Sequence, residues 1–562
     1  MILDQTQIAA IIKDNPGNKR IVDGRNYSKK MRRHIYGEGM DTYFESITGF
    51  ERDSLKELRV KYSKSNKDLF SRLGRPLDKV FTARGGSVYY NLSEETEKRA
   101  RLISQDIKDG YSVRKWVESF WKPHMLDDPF GIIFLEIASR QEAIRLKKQG
   151  KSFVYPTYKQ ITCIYDYLPK GNRLEWIVFE VGADEKKAAG IDEKTTIYRI
   201  VDDAFDYWVE VKDDVVTVLP NHTYPNYFGE VPGMVNSDFL NPQYEYCFLS
   251  FYDEIIELAE QFLLKGSIKV THDFMHGFPK YSEFAGNCNV CKGIGRLDGE
   301  ICKSCNGSGK SAMVRVSDIK LLEWPSKEDA VILPNQVGGY VEPSVTFHEI
   351  ATSDLQALED SMAVTLWGTQ SRLRTQGMSM GSDGAAKTAT EVMDEIKPQA
   401  DRLVPVSEMA ELRHKFILDF VIKLQIAQSY GGSSVNYGRR YMLEGPDAIW
   451  LKYSDARTKG APQNILDTLL NEYNEANYQS DPVGLAIAKK MMYVEPFVHY
   501  SASVLKGLSP DEKDYKAKLY FSEWLATQNE SSLLSQTVDQ LKQLLYAFVE
   551  AKKIPEAEPL AA

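Results

Sequence analysis

The feature that most limits what this chain can become is a pair of cysteine knuckles, CNVCKGIG at 288–295 and CKSCNGSG at 302–309. Two residues separate the cysteines of each knuckle, and ten residues lie between Cys291 and Cys302. A two-residue gap lets both sulfurs of a knuckle face one ion, and a loop of ten lets two knuckles close a tetrahedron. Gly293, Gly295, Gly307 and Gly309 permit tight turns in which backbone N–H groups point at thiolate sulfur. Cys288, Cys291, Cys302 and Cys305 are therefore expected to hold a structural Zn2+, since four cysteine ligands leave no position open for a catalytic water. Lys292, Arg296, Lys303 and Lys310 are close enough in sequence to offset the negative charge of such a site. A site of this kind can hold an insertion that has too little apolar core to fold alone. The competing reading is two disulfides or four reduced thiols. Six cysteines in 562 residues do not make a secreted disulfide framework, and a reducing cytoplasm disfavours disulfides.

The remaining motifs are weaker. NGSGKS (306–311) looks like the end of a phosphate-binding loop, but that motif needs glycine five positions before Gly309, and position 304 is Ser. Nucleotide binding is not expected there. His272 and His276, four apart, could share a metal on a helix; the plainer reading is surface residues leading into the insertion. The other histidines are scattered and accompany no GxSxG, HExxH or GxGxxG pattern. Asp202-Asp203 and Asp213-Asp214 fall where solvated turns between strands are expected. The reading is of a protein without a catalytic site. No run approaches the roughly 18 apolar residues of a membrane span, and the start MILDQTQIAAIIKDNP, with Asp4 inside its apolar stretch, is a poor signal peptide. A cytoplasmic setting is expected.

With 43% hydrophobic and 27% charged residues, the chain can bury several cores. Residues 1–125 read as mainly helical, with helical spacing at 54–73 and 93–108, Ser93 as a cap, and a turn-rich connection at 75–91. Trp116, Phe120 and Trp121 add aromatic core or interface material. Residues 128–220 read as strands at 130–137, 153–158, 161–167, 174–181, 195–201 and 206–211, joined by short links into an antiparallel meander. Pro225, Pro232 and Pro242 mark a linker. Helix is expected over 243–265 with Gly266 as its stop, and again from Ser353, capped with Gln356, to Gly368. A glycine-rich stretch, 369–387, precedes a long helical pattern to about Tyr430, which Pro398 and Pro405 are expected to kink or break. A short strand is expected at 448–453, helices to 552, and disorder in the tail.

This order of parts resembles the portal (head-tail connector) family of tailed bacteriophages. HTYPNYFGEVPG (222–233) is similar to the strand end before the stem of many portals, and KTATEVMDEIKPQADRL (387–403) to the start of the helix after the tunnel loop. SNKDLFSRLGRPLDKVF (65–81) is also familiar from that group. The resemblance implies an α+β fold with a wing over 1–242, a first stem helix over 243–266, a clip over 267–348 and a second stem helix over 349–368. A tunnel loop over 369–387, a kinked wing helix and wing return over 388–480, crown helices over 481–552 and a tail over 553–562 would follow. It implies a homo-oligomeric ring, typically dodecameric, that is assembled in the host cytoplasm and ends at the capsid vertex of the virion. Double-stranded DNA would pass through it during packaging and ejection. Its partners would be terminase, the major capsid protein and head-tail adaptor proteins, with no membrane and no ATP hydrolysis of its own. Arg372, Arg374, Met378, Met380 and Lys387 would then belong to the DNA channel, where the two methionines are flexible apolar tips. Taken alone, the same residues read as a mobile surface loop. A net charge of −9 suits a conduit that holds DNA weakly, because tight phosphate contacts resist sliding.

The cysteine segment also resembles the CxxCxGxG repeat of bacterial Hsp40 co-chaperones. Only two units occur and the His-Pro-Asp tripeptide of the J domain is absent, so the resemblance implies a shared zinc knuckle. It leaves a second reading, a zinc-knuckle chaperone or scaffold that binds polypeptides. A third is a nucleic-acid enzyme.

Overall fold

Helix-favouring residues with apolar spacing open the chain, and β-branched and aromatic runs follow. The computed structural model describes residues 2–13, 18–47, 53–213, 215–242, 247–276, 280–284, 287–305, 307–310, 320–322, 338–341, 345–368, 389–426, 430–441, 446–478, 481–507, 510–550 and 552. Two units result, Met1–Tyr441 and Met442–Ala562. The fold is α+β.

In the first unit, helices α1 (Gln5–Lys13), α2 (Lys19–Tyr36) and α3 (Lys67–Gly74) precede strand β1 (Arg84–Tyr90). The connection at 75–91 is thus not merely turns: β1 pairs antiparallel with β15 (Ser433–Arg440), a strand more than 300 residues away that local patterning did not announce. The strand run gives β2 (Ile132–Ile137), β3 (Val154–Lys159), β4 (Ile164–Lys170), β5 (Arg173–Glu180), β6 (Thr196–Val201) and β7 (Phe205–Lys212). Two more strands follow: β8 (Val215–Pro225), whose end runs into the expected linker, and β9 (Gly233–Val235), which lies inside it. The sheet order is β3-β2-β9-β5-β6-β7-β8, with β4 on β5, and every pairing is antiparallel. It is therefore a meander interrupted by β9, which enters between β2 and β5. Gly233 fits there because a Cβ would press on Leu174 at 2.5 Å. Pro225 sits at the last position of β8, where a missing N–H costs the ladder little.

Asp202 departs from its expected solvated turn. It is fully buried, and its carboxylate accepts the N–H groups of Leu3, Ala204 and Phe205 at 2.9, 2.8 and 2.7 Å, tying the N-terminus to the β6–β7 turn.

Helix α4 (Ile256–His276) and helix α5 (Val345–Trp367) form an antiparallel pair. Just before α4 the Phe251 ring lies 5.3 Å from that of Trp367, Lys265 pairs with Asp354 at 2.8 Å, and Asp273 meets His348 at 3.1 Å, so partners advance on one helix as they retreat on the other. Both helices are displaced from expectation. Residues 247–252 are not helical, Gly266 lies inside α4, and Ser353 lies inside α5. Pairing with the facing helix outweighs the roughly 1 kcal/mol by which glycine weakens a helix.

Helix α6 (Ala389–Gln425) is one continuous helix through Pro398 and Pro405, so of the expected kink or break the break does not occur. Its buried Leu403, Val406, Ala410, Phe416, Ile417 and Val421 pack in the core with Trp121, Met125 and Trp367, and that packing outweighs what each proline removes. Between α4 and α5 lie β10 (Lys280–Phe284), β11 (Arg296–Leu297), β12 (Glu300–Ile301), β13 (Lys320–Leu322) and β14 (Gly338–Val341). β10 is flanked by β13, parallel, and β14, antiparallel.

The second unit is helical. Its core contains Met491, Val494, Trp524, Leu541, Leu545 and Val549. Residues 448–453, expected as a strand, lie within the helix Pro446–Thr458, where Ile449 and Tyr453 share a buried face four residues apart.

Candidate metal centre

The four cysteines come together. Their Sγ atoms all lie within 4.8 Å of one another, and Cys291 and Cys305 are 3.6 Å apart. A tetrahedral zinc with bonds of about 2.3 Å needs sulfurs about 3.8 Å apart, so the cage has the right size. All four are buried and none forms a disulfide. They constitute a core cluster by themselves, without an aliphatic side chain.

Local backbone geometry explains how so short a segment builds the cage. Lys292 N–H donates to Cys288 O at 2.7 Å, and Ile294 N–H to Cys291 O at 3.0 Å, closing the first knuckle. Lys292, Gly293 and Gly295 have positive φ. A β11–β12 hairpin then reverses the chain, with Arg296 opposite Ile301. Cys302 N–H donates to Gly295 O at 3.0 Å and Cys288 N–H to Gly309 O at 2.9 Å, so each knuckle is bonded to the glycine tail of the other. A Cβ on Gly295 would collide with Gly307 O, and one on Gly309 with Gly293 O. NGSGKS is thereby accounted for: its described residues 307–310 close the second knuckle.

Electrostatics favour thiolate at Cys288, where the N–H groups of Cys291 and Val290 hold the thiol down to about 6. Burial pushes the Cys291 thiol up, opposed by Gly295 N–H, which donates to its Sγ at 3.2 Å. Four convergent sulfurs suit a soft divalent ion. The charges of Lys292, Arg296 and Lys303 lie in exposed positions around the cage.

His272 is not part of this cluster. Its ring lies 3.9 Å from that of Phe347, across the α4–α5 pair. The side chain of His276 lies outside the described residues, as do Arg372, Arg374, Met378, Met380 and Lys387.

Two buried polar groups of the sheet escaped sequence reading. Asp127 is buried between Arg32 Nε and His124 Nδ1, each 3.0 Å away. Its neighbour Asp128 accepts from Tyr158 Oη at 2.8 Å and from Ile161 N–H at 3.0 Å, while its Oδ1 has no partner. Burial pushes the Asp128 carboxyl up to about 6. At the β2–β6 face, burial opposes the charge of Glu136, but bidentate Arg199 and Lys159 hold its carboxyl down to about 2. The one sequence signal for the first group was an acidic pair set directly against the apolar run at 130–137.

No family model matches the chain, and no curated protein matches it. No described helix is long and apolar enough to cross a membrane.

Proposed function

We propose that this chain is the portal subunit of a tailed bacteriophage, a ring-forming conduit for double-stranded DNA that carries a structural Zn2+ on Cys288, Cys291, Cys302 and Cys305. The observation that carries the reading is the order of elements. An antiparallel helix pair, α4 and α5, brackets a small cysteine-held insertion, and the long helix α6 follows after residues 369–388. In this reading α4 and α5 are the stem, the insertion is the clip that meets terminase and adaptor proteins, and Arg372, Arg374, Met378, Met380 and Lys387 line the channel. Repetition around a ring lets many weak contacts guide a duplex without a tight site. Zinc would supply the cross-link that the insertion's meagre core cannot.

A second reading has its own support. Val290, Ile294, Leu297 and Ile301 are exposed on the knuckle, as on a zinc-held scaffold that binds polypeptide segments. Electron microscopy of the purified chain, with its mass in solution, separates the two. Rings with an axial hole are expected; a monomer or elongated dimer under all assembly conditions overturns the portal reading and favours the second.

A further inference from the structure

A cavity of about 250 Å3 opens beside the start of β5, the last third of α6 and the Gly431–Gly432 turn. Arg173 projects along its wall with its guanidinium stacked on aromatic rings, 4.4 Å from the centre of Phe416 and 5.2 Å from that of Phe420. Those contacts fix the plane of the guanidinium but satisfy none of its N–H groups. Nη1 is buried without a hydrogen-bond partner. Lys423, exposed on the same wall, makes no ion pair among the described residues.

Two carboxylates share the cavity. Asp419 is occupied: it accepts from the Lys415 ammonium, from Ser433 N–H at 2.9 Å and from Ser433 Oγ at 2.6 Å. Glu230 is exposed and, like Asp419, attracts Arg173 through space. Three cations against two carboxylates leave one positive charge in excess.

A buried cationic N–H without an acceptor is costly, and its usual remedy is an anion or water. A guanidinium donates charge-assisted hydrogen bonds to an oxyanion, and an ammonium on the same wall adds a point charge. Water takes up about 30 Å3 per molecule, so the cavity has room for such an ion and part of its hydration. Gly432, at φ +101, turns the chain there without a side chain to fill the space.

We propose that this cavity binds a phosphate-class oxyanion, with Arg173 as the buried donor and Lys423 as the second charge. The site stands on its own geometry and does not depend on the portal reading. Its source is a free phosphate or the phosphodiester of a nucleic acid.

The test is calorimetric titration of sodium phosphate into the full chain, with ionic strength held constant by sodium chloride. Saturable binding is expected, together with a melting temperature that rises with phosphate and not with chloride. Arg173→Gln is expected to weaken affinity about tenfold and Lys423→Gln about threefold, while Glu230→Gln tightens it. Should Arg173→Gln unfold, the two surface variants carry the test. Binding indistinguishable from that of chloride, or an affinity that neither Lys423→Gln nor Glu230→Gln changes, overturns the proposal. Displacement of phosphate by a short single-stranded oligonucleotide at lower concentration than by a nucleoside monophosphate identifies the phosphodiester as the source; the reverse order identifies a small ion.

Discussion

At Asp128, burial acts on a single carboxylate whose second oxygen has no donor, so its pKa rises from 3.8 to about 6. Below 3.8 the group is neutral in folded and unfolded chain alike, and its burial costs nothing in pH-linked stability. As pH rises through 6 the folded protein must carry a charge its site disfavours, so stability falls across that window. Asp128→Asn keeps an acceptor for Tyr158 and Ile161 and removes the charge. It is expected to raise stability on the order of 2 kcal/mol at pH 7 and to have little effect at pH 4, as urea denaturation at the two pH values will show. Cys288 has the opposite chemistry. Its thiolate is favoured by backbone donors, and its removal opens the cage. Cys288→Ser is expected to abolish bound zinc in native mass spectrometry while leaving the sheet's circular dichroism unchanged; unchanged metal content would show the ligand assignment to be wrong.

Among the elements, the helix pair shows where partners override local preference. Gly266 sits within α4, and a Cβ added there would meet nothing within 4 Å. Gly266→Ala is therefore expected to stabilise the first unit by about 1 kcal/mol, read as a higher denaturation midpoint with an unchanged slope. The knuckle is the reverse case, an element whose local sequence dictates nearly everything. Its turns, hairpin and cross-bonds all fall within 288–309, and its core is the four sulfurs. The portal reading adds an expectation for the segment after α5. Deleting 374–384 should leave ring formation intact and impair packaging or retention of DNA, measured by the DNA content of particles assembled with the variant. Loss of the ring itself would make that segment architectural.

For the whole molecule, the first unit depends on pairings far apart in sequence. β1 needs β15, β9 needs both β2 and β5, and α6 crosses the core that Trp121 and Trp367 share. Contacts of such long separation form late and are slow to find. The second unit folds on helices adjacent in sequence, with Met491, Trp524 and Leu545 at its centre. At this scale the ring is the decisive measurement for the proposed function: many copies, each with a modest charge and no tight site, are needed to make a conduit.

Sequence alone determined what rests on short spacing. The CxxC pairs with their glycines specified a four-sulfur cage, and runs rich in β-branched and aromatic residues, set off by polar breakers, specified β2 to β7 to within three residues at each end. What it left undecided depends on partners distant along the chain. The strand at 433–440 is visible only once β1 is beside it, the ends of α4 and α5 are set by each other, and α6 stays one continuous helix across two prolines because its apolar face is buried. The same holds for polar groups. Nothing local separates Asp202, fully buried with three N–H donors, from an acid in a solvated turn, and Arg173 reads as any charged strand residue until Phe416 and Phe420 lie against it. Spacing fixes what neighbouring residues can reach, whereas burial and electrostatic environment belong to residues that only folding brings together.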